Sequence, residues 1–157
     1  MRNLSADHQR RNIRPFEVGD EANVVGVWHR SGIAAYTYLP TWQALTLEQA
    51  TWVFENVIRP RCAIWVGTHD DRIVAYLAMN ASYIDRLYVD PPAWRTGWGT
   101  QLVNLAKQLS PSGLELHTHQ KNVAARALYE RHGFKAVQFG ISPPPESAPD
   151  VEYHWRP

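Results

Sequence analysis

The sequence has one cysteine, Cys62, among 157 residues, so an intrachain disulfide is impossible. Cys62 lies in the apolar segment 61–66, which predicts a buried strand and a structural thiol. The longest apolar run is shorter than the roughly eighteen residues that a membrane span needs. Sixteen basic residues almost balance fifteen acidic ones, so charge gives no case for binding nucleic acid or a membrane surface. We therefore expect a cytoplasmic protein with neither partner.

Two common nucleotide-binding motifs are also missing. A dinucleotide fingerprint around Gly97 and Gly99 would need a third glycine at position 102, which is Leu102. A phosphate loop of the ATPase type would need a lysine soon after Gly99, and none is there. These absences argue against a doubly wound dehydrogenase fold and against a P-loop nucleotidase.

One segment nevertheless has the form of an anion-binding turn. Residues 87–100 run from an apolar strand through two prolines into Gly97, Trp98 and Gly99, and residues 100–109 have apolar residues at helical spacing. Thr96 or Thr100 could cap this helix. The unpaired N–H groups at a helix start bind phosphate. The alternative is a glycine turn without a ligand.

A second segment, residues 114–134, gives this turn a context. With the first segment it resembles the GNAT superfamily of acetyl-CoA-dependent N-acetyltransferases, in which a Gln/Arg-X-X-Gly-X-Gly/Ala turn binds pyrophosphate. The family's second motif, Asn-X-X-Ala-X-X-X-Tyr-Glu-X-X-Gly-Phe, is matched here by Asn122, Ala125, Tyr129, Glu130, Gly133 and Phe134. The departure is Trp94, which stands in the Gln/Arg position of the first motif and has Arg95 beside it.

The resemblance implies an α/β (α+β) fold. Its mixed, mostly antiparallel sheet has about seven strands, about four flanking helices and a splay between the fourth and fifth strands. We expect residues 1–12 to be a flexible basic arm and residues 13–157 a single domain. The pattern predicts strands at 13–16, 62–68, 72–79, 82–89, 114–118, 134–140 and 151–155, and helices at 20–32, 46–58, 100–109 and 124–132. Thr46 and Gln49 have capping-box spacing, and Gly32 is read as a helix stop.

The function implied by the resemblance is transfer of an acetyl group from acetyl-CoA, as co-substrate, to a primary amine of a small molecule or peptide in a ternary complex. The alternative is a non-catalytic acyl-CoA sensor or interaction module. We expect no metal, and a homodimer is a further expectation. The residues expected to bind the cofactor are Leu87, Tyr88, Val89, Arg95, Thr96, Gly97, Trp98, Gly99, Thr100, Asn122 and Ala125.

Three residues are candidates for catalysis. Tyr129 occupies the position where the family places the acid that protonates the leaving thiolate, although its ring could instead be a core residue. Strand alternation puts Tyr83, Asp85, Leu87 and Val89 on one face, which favours Asp85 as the residue that prepares the amine. The alternatives are an ion pair of Asp85 with Arg86 or Arg126, and a base at His119, which shares a strand face with His117.

The acceptor site is expected where aromatic residues gather in predicted loops. The segment 35–42 and the proline-rich loop before residue 151 should form its walls. Aromatic rings there could stack on a flat substrate or cover a cation, or they could be packing residues of a lid. The candidates for substrate binding are Tyr36, Tyr38, Trp42 and Tyr83.

Overall fold

A seven-stranded sheet forms the centre of the protein in the computed structural model, which describes residues 10–157. Its strand order is β1-β2-β3-β4-β5-β7-β6, and only β4 and β5 pair in parallel. This confirms the mixed, mostly antiparallel sheet. The strands are β1 (Arg11–Pro15), β2 (Ala63–His69), β3 (Arg72–Asn80), β4 (Tyr83–Val89), β5 (Leu114–His119), β6 (Lys135–Ile141) and β7 (Pro149–Trp155).

Helices cover both faces of the sheet. They are α1 (Glu21–Ala35), α2 (Pro40–Gln43), α3 (Leu47–Val53), α4 (Trp98–Leu109) and α5 (Val123–Arg131), and α3 continues through a π-helical turn at Phe54–Ile58. Apolar residues of α1, α2 and α3 pack in one core, and those of α4 and α5 pack in a second core. The four predicted helices are present. The short α2, begun by Pro40, was not predicted.

The predicted splay is confirmed where the two halves of the sheet meet. Strands β4 and β5 pair only through Tyr83 and Glu115, near their N-terminal ends. Beyond that pair the strands separate toward Val89 and His119. Backbone groups on the facing edges of the two strands are therefore not used in the sheet, and a ligand can reach them.

The start of α3 follows the sequence prediction. The Gln49 N–H donates to the Thr46 hydroxyl at 3.1 Å, and the Thr46 N–H donates to the Gln49 side-chain oxygen at 2.9 Å. Two of the unpaired N–H groups of the helix start are satisfied in this way. The capping box thus fixes where the chain turns back toward the sheet after the aromatic segment.

The prediction that Gly32 ends α1 is wrong, since the helix continues to Ala35. The reason for the glycine is close packing. A Cβ atom on Gly32 would lie 2.1 Å from a ring carbon of Trp42. Gly32 therefore lets the Trp42 ring lie directly against the helix backbone, and a three-residue extension of α1 carries the chain toward Tyr36.

Strand β1 begins at Arg11, two residues before the predicted start of the domain. Its Arg11 guanidinium lies 4.8 Å from the Trp98 ring centroid, at a distance typical of a cation–π contact. The rest of the predicted basic arm falls almost entirely in residues 1–9, which lie outside the described part of the chain. Across residues 10–157, none of the helices has both the length and the apolar character needed to cross a bilayer.

Candidate active site

A cavity of about 650 Å³ occupies the gap between β4 and β5. Its walls come from β4, from the turn before α4 and from the first turns of α5. The charged residues of its lining are mostly basic: Arg86, Arg95, Lys121 and Arg131, with Asp85 as the acidic one. The predominance of basic residues suits an anionic ligand. We call this space the cofactor cavity.

The glycine turn lies at one end of the cofactor cavity. Gly97 is the N-cap of α4 and has a φ of 92°, which favours glycine. The expectation that Thr96 or Thr100 caps the helix is wrong. The Thr96 hydroxyl donates to the Ala93 carbonyl at 2.6 Å, and the Thr100 hydroxyl lies 3.2 Å from Nε2 of His132. Within residues 10–157 no side chain caps the start of α4, so the N–H groups of its first turn are available to an anion.

Trp98 and Gly99 contribute backbone N–H groups, not side chains, to the glycine turn. The Trp98 side chain is buried in the core below α4, so it is a packing residue rather than a ligand contact. A Cβ on Gly99 would approach the Leu128 side chain to 2.9 Å. Gly99 therefore lets α4 pack closely against α5, which keeps the glycine turn and Tyr129 of α5 on the same cavity.

Trp94, the departure from the family motif, contacts the end of β4. Its indole N–H donates to the Val89 carbonyl at 2.6 Å, so this carbonyl of a predicted cofactor-binding residue already has a donor. Leu87 and Tyr88 also line the cavity. Arg95 beside Trp94 is exposed and lines the cavity, which leaves its guanidinium free to approach an anionic ligand.

Asn122 joins the cofactor cavity to the aromatic segment. As N-cap of α5 it accepts the Ala125 N–H at 3.1 Å, and its amide nitrogen donates to the Tyr36 hydroxyl at 3.4 Å. Ala125 and Asn122 both line the cavity. The side chain of Asn122 thus holds the start of α5 and the Tyr36 ring in fixed relation.

Tyr129 lies on α5 and lines the same cavity. Its ring packs against Phe134 and Tyr153, with centroid separations of 5.5 and 6.2 Å. Burial, together with the nearby Tyr88 and Tyr83 phenols, raises the pKa of the Tyr129 hydroxyl. The phenol is therefore protonated at neutral pH, the state required of a proton donor.

A second cavity, of about 380 Å³, adjoins the first at the split in the sheet. We call it the acceptor cavity. The two cavities share a wall that is formed by residues of β4 and β5 and by Tyr36. Residues that line both cavities are Tyr36, Asp85, Arg86, Tyr88, His117 and Thr118.

His119 lines the acceptor cavity at the end of β5. Its ring centroid is 4.5 Å from that of Tyr36 and 6.5 Å from that of Tyr38. Nε2 lies 3.1 Å from a carboxylate oxygen of Glu146, whereas Nδ1 is buried and has no hydrogen-bond partner among residues 10–157. A carboxylate only accepts hydrogen bonds, so in the neutral ring the proton is on Nε2 and Nδ1 has a free lone pair.

The face assignment of Asp85 from strand alternation is wrong because β4 has a bulge. Arg86 is opposite Ala78 and Ile84 is opposite Met79, which leaves Asp85 as the extra residue. Its carboxylate lies 2.9 Å from the Arg61 guanidinium and 3.7 Å from that of Arg86. The alternative of an ion pair with Arg86 is thus what the structure shows, with Arg61 as the shorter contact. The Asp85 carboxylate is therefore occupied by two guanidinium neighbours.

The expected substrate-binding residues separate into two groups. Tyr36 and Trp42 line the acceptor cavity. Tyr38 lies beside His119, and the Tyr83 hydroxyl is 2.8 Å from Nδ1 of His117. The bulge at Asp85 puts Tyr83 on the face of His117 rather than with Leu87 and Val89, which pack under α4.

Glu146 was missed in the sequence. It lies in the proline-rich loop before β7, and its carboxylate contacts both His119 and Trp42. The sequence did contain one indication of its role. Glu146 is the one carboxylic acid in residues 140–149, a loop already expected to form a wall of the acceptor site. Across residues 10–157, no cluster of three or more His, Cys, Asp or Glu side chains is arranged to hold a metal ion.

Comparison with known proteins agrees with this arrangement. A sequence model of the acetyltransferase (GNAT) family matches residues 29–134. The chain is 29% identical over 127 residues to the peptidyl-lysine N-acetyltransferase YjaB of Salmonella typhimurium, covering 80% of this chain and 84% of YjaB. The Escherichia coli YjaB enzyme is 28% identical over 122 residues, covering 77% of this chain and 78% of the relative.

Solved structures show the same fold. The solution structure of apo-YjaB from Escherichia coli superposes with a TM-score of 0.73 at 23% identity, covering 93% of this chain and 97% of the other. The structure of yncA from Salmonella typhimurium with its cofactor acetyl-CoA gives a TM-score of 0.69 at 12% identity, covering 93% of each chain. The family match spans most of the chain and includes the split sheet, the glycine turn and Tyr129: the protein belongs to the acetyltransferase (GNAT) family.

Proposed function

We propose that this N-acetyltransferase transfers the acetyl group of acetyl-CoA to the side-chain amine of a lysine in a peptide, by direct attack within a ternary complex. The observation that carries the proposal is the meeting of the two cavities at the β4–β5 split. Tyr129 lines one cavity and His119 lines the other. In this proposal Tyr129 is the acid on the cofactor side of the split and His119 is the base on the acceptor side.

The cofactor cavity fits acetyl-CoA. The N–H groups at the start of α4 and the side chain of Arg95 would bind the diphosphate. The edge of β4 that lacks a partner beyond Tyr83 would pair with the pantetheine amides, through backbone groups of Leu87 and Tyr88. Acetyl-CoA supplies the thioester carbonyl that the amine attacks.

Two side chains of the protein then transfer protons during the reaction. Nδ1 of His119 takes the proton that the amine nitrogen loses as the new C–N bond forms. The Tyr129 hydroxyl donates its proton to the sulfur as the C–S bond breaks, and the phenolate is reprotonated from solvent. The products are the acetylated amine and CoA. We propose His119 rather than Asp85 as the base, because Asp85 is held by Arg61 and Arg86.

A peptide lysine suits the acceptor cavity. Both YjaB relatives are named peptidyl-lysine N-acetyltransferases. The cavity has aromatic rings from Tyr36 and Trp42 for the alkyl chain, and the acidic residue Asp150 also lines it. Together they provide apolar contact for the methylene groups and negative charge for a cationic terminus.

The cytoplasmic location and the homodimer stay predictions.

The test compares acceptors that differ by one amine. We expect CoA release and acetylation of the side chain with an end-blocked peptide that contains one lysine, and neither with the same peptide carrying norleucine. Thiol release and peptide mass measure the two. A peptide with a free α-amine and no lysine, and a set of small primary amines, complete the panel.

Acetylation of small amines alone, or of the α-amine alone, would overturn the lysine assignment. Tight binding of acetyl-CoA without release of CoA on any acceptor would support the sensor alternative.

Charge reversal at Arg95 tests the diphosphate site. We expect Arg95→Glu to weaken acetyl-CoA binding roughly tenfold or more, because a charge-assisted hydrogen bond is replaced by repulsion. Calorimetric titration measures the affinity. Arg72→Glu is the matched control, since Arg72 is also exposed, begins β3 and does not line the cofactor cavity. Equal affinities of the two variants would remove Arg95 from the site.

A further inference from the structure

We propose that Glu146 is a positioning residue for His119, which sets the tautomer and the orientation of the imidazole so that Nδ1 meets the acceptor amine. This inference rests on the proposed function, in which His119 is the base. It concerns a residue that acts through another side chain. The support comes from three features of the acceptor cavity: the contacts of the carboxylate, its charge state and the free ring nitrogen.

Both oxygens of the Glu146 carboxylate are engaged. Oε1 is 3.1 Å from Nε2 of His119, and Oε2 accepts the indole N–H of Trp42 at 3.2 Å. The Trp42 ring is itself fixed, since it packs on the bare backbone of Gly32. Glu146 therefore holds the imidazole in a fixed orientation relative to helix α1, because it bonds both His119 and the Trp42 ring that packs on that helix.

Glu146 is ionised at neutral pH. Burial raises the pKa of its carboxyl, but hydrogen bonds from His119, Ser142 and Trp42 lower it, and the resulting pKa is below the usual value for glutamate. An ionised carboxylate has no hydrogen to donate. The proton shared with the imidazole must therefore be on Nε2 whenever the ring is neutral.

The rest of the ring environment leaves one position open. The Tyr36 and Tyr38 rings flank the imidazole edge to face, and the buried Nδ1 has no partner among the described residues. A buried nitrogen without a partner is unfavourable. An amine that enters the acceptor cavity and reaches Nδ1 would supply the missing hydrogen bond and could pass its proton to that nitrogen.

Glu146 could instead serve only to fix the loop, but the loop has its own closure. The Ser142 N–H donates to the Ala148 carbonyl at 2.8 Å, and the Ala148 N–H donates to the Ser142 hydroxyl at 3.0 Å. Neither bond uses an atom of Glu146, and glutamine keeps a side-chain oxygen for the Ser142 hydroxyl that also contacts this position. A Glu146→Gln protein should therefore keep its loop, and a loss of turnover would report on His119.

The experiment combines kinetics with a spectroscopic readout in the full chain. We expect Glu146→Gln to lower kcat roughly tenfold or more with little change in the KM for acetyl-CoA, because the amide no longer enforces one tautomer. Nitrogen-15 spectra of the labelled imidazole should show the Nε2–H tautomer in the wild type and a tautomer mixture in the variant. His119→Gln and the double variant His119→Gln/Glu146→Gln complete a cycle.

The cycle separates the two ideas. If Glu146 acts through His119, the double variant should be no slower than His119→Gln alone. Multiplying effects, or wild-type turnover and tautomer in Glu146→Gln, would overturn the inference while leaving the base in place. Normal turnover of His119→Gln on the lysine peptide would overturn both the base and its positioning.

Glu152→Gln is the matched control. Glu152 also contacts histidines, at 3.2 Å from Nε2 of His117 and 2.8 Å from Nε2 of His154, but those side chains are more exposed than that of His119. We expect its kcat to stay within about twofold of the wild type. A loss equal to that of Glu146→Gln would mean that any glutamate–histidine contact on this sheet has the same effect, which would also overturn the inference.

Discussion

Tyr129→Phe should lower kcat roughly 100-fold or more and leave the affinity for acetyl-CoA almost unchanged. The substitution removes only the hydroxyl of a residue that lines the cofactor cavity. The ring contacts with Phe134 and Tyr153 are kept, so the fold and the cavity wall should persist. Steady-state turnover on the lysine peptide, together with calorimetry for acetyl-CoA, measures the two effects separately.

The protonation state of Tyr129 shapes the expected pH dependence. Burial and the neighbouring phenols raise the pKa of its hydroxyl, so the acid form dominates through neutral and mildly alkaline pH. Turnover should therefore show no alkaline decline from this residue in the usual assay range. Tyr76→Phe is the control, because it removes a buried hydroxyl in the core beneath α1. A loss of less than threefold in Tyr129→Phe would make Tyr129 a packing residue.

His119→Gln should lower kcat by roughly two orders of magnitude, within the range expected for loss of a general base. The wild-type rate should fall in acid, because a protonated imidazole cannot accept the amine proton. That acid limb should be absent from the variant. The measurement is kcat/KM for the lysine peptide across pH.

Asp85→Asn provides the comparison that decides the base. With Asp85 paired to Arg61 and Arg86, the Asn variant should retain the acid limb, and any loss of rate should reflect altered packing of the two guanidinium groups. An acid limb that persists in His119→Gln, with turnover abolished in Asp85→Asn, would restore Asp85 as the residue that prepares the amine.

Much of the fold could be predicted from local sequence patterns. The capping box at Thr46 and Gln49, the strand–turn–helix around Gly97 and the succession of strands along the chain all depend on short-range signals of spacing and turn chemistry. The motif that includes Asn122 and Tyr129 placed both residues on the cofactor cavity. These features are set by residues near one another in the chain.

The errors come from contacts between distant segments. The role of Gly32 depends on Trp42 folding back on α1, and the direction of Asp85 depends on one extra residue in β4 relative to β3. Strand alternation assumes a regular partner, so a bulge moves every residue on one side of it to the other face. The contact of Glu146 with His119 joins a loop to a strand residue 27 positions earlier in the chain. No periodic pattern in the sequence indicates such a contact.

The single backbone pair that connects β4 to β5 has a consequence for stability. A sheet joined so weakly at its centre has two halves that can fluctuate apart, and amide hydrogens beside the gap should exchange with solvent sooner than those inside β2 and β3. A co-substrate bound in the gap would act as an extra strand between them. Since it binds only the folded chain, it would add about 2.7 kcal/mol to the free energy of unfolding at a hundred times its Kd. The enzyme would then be most rigid when loaded.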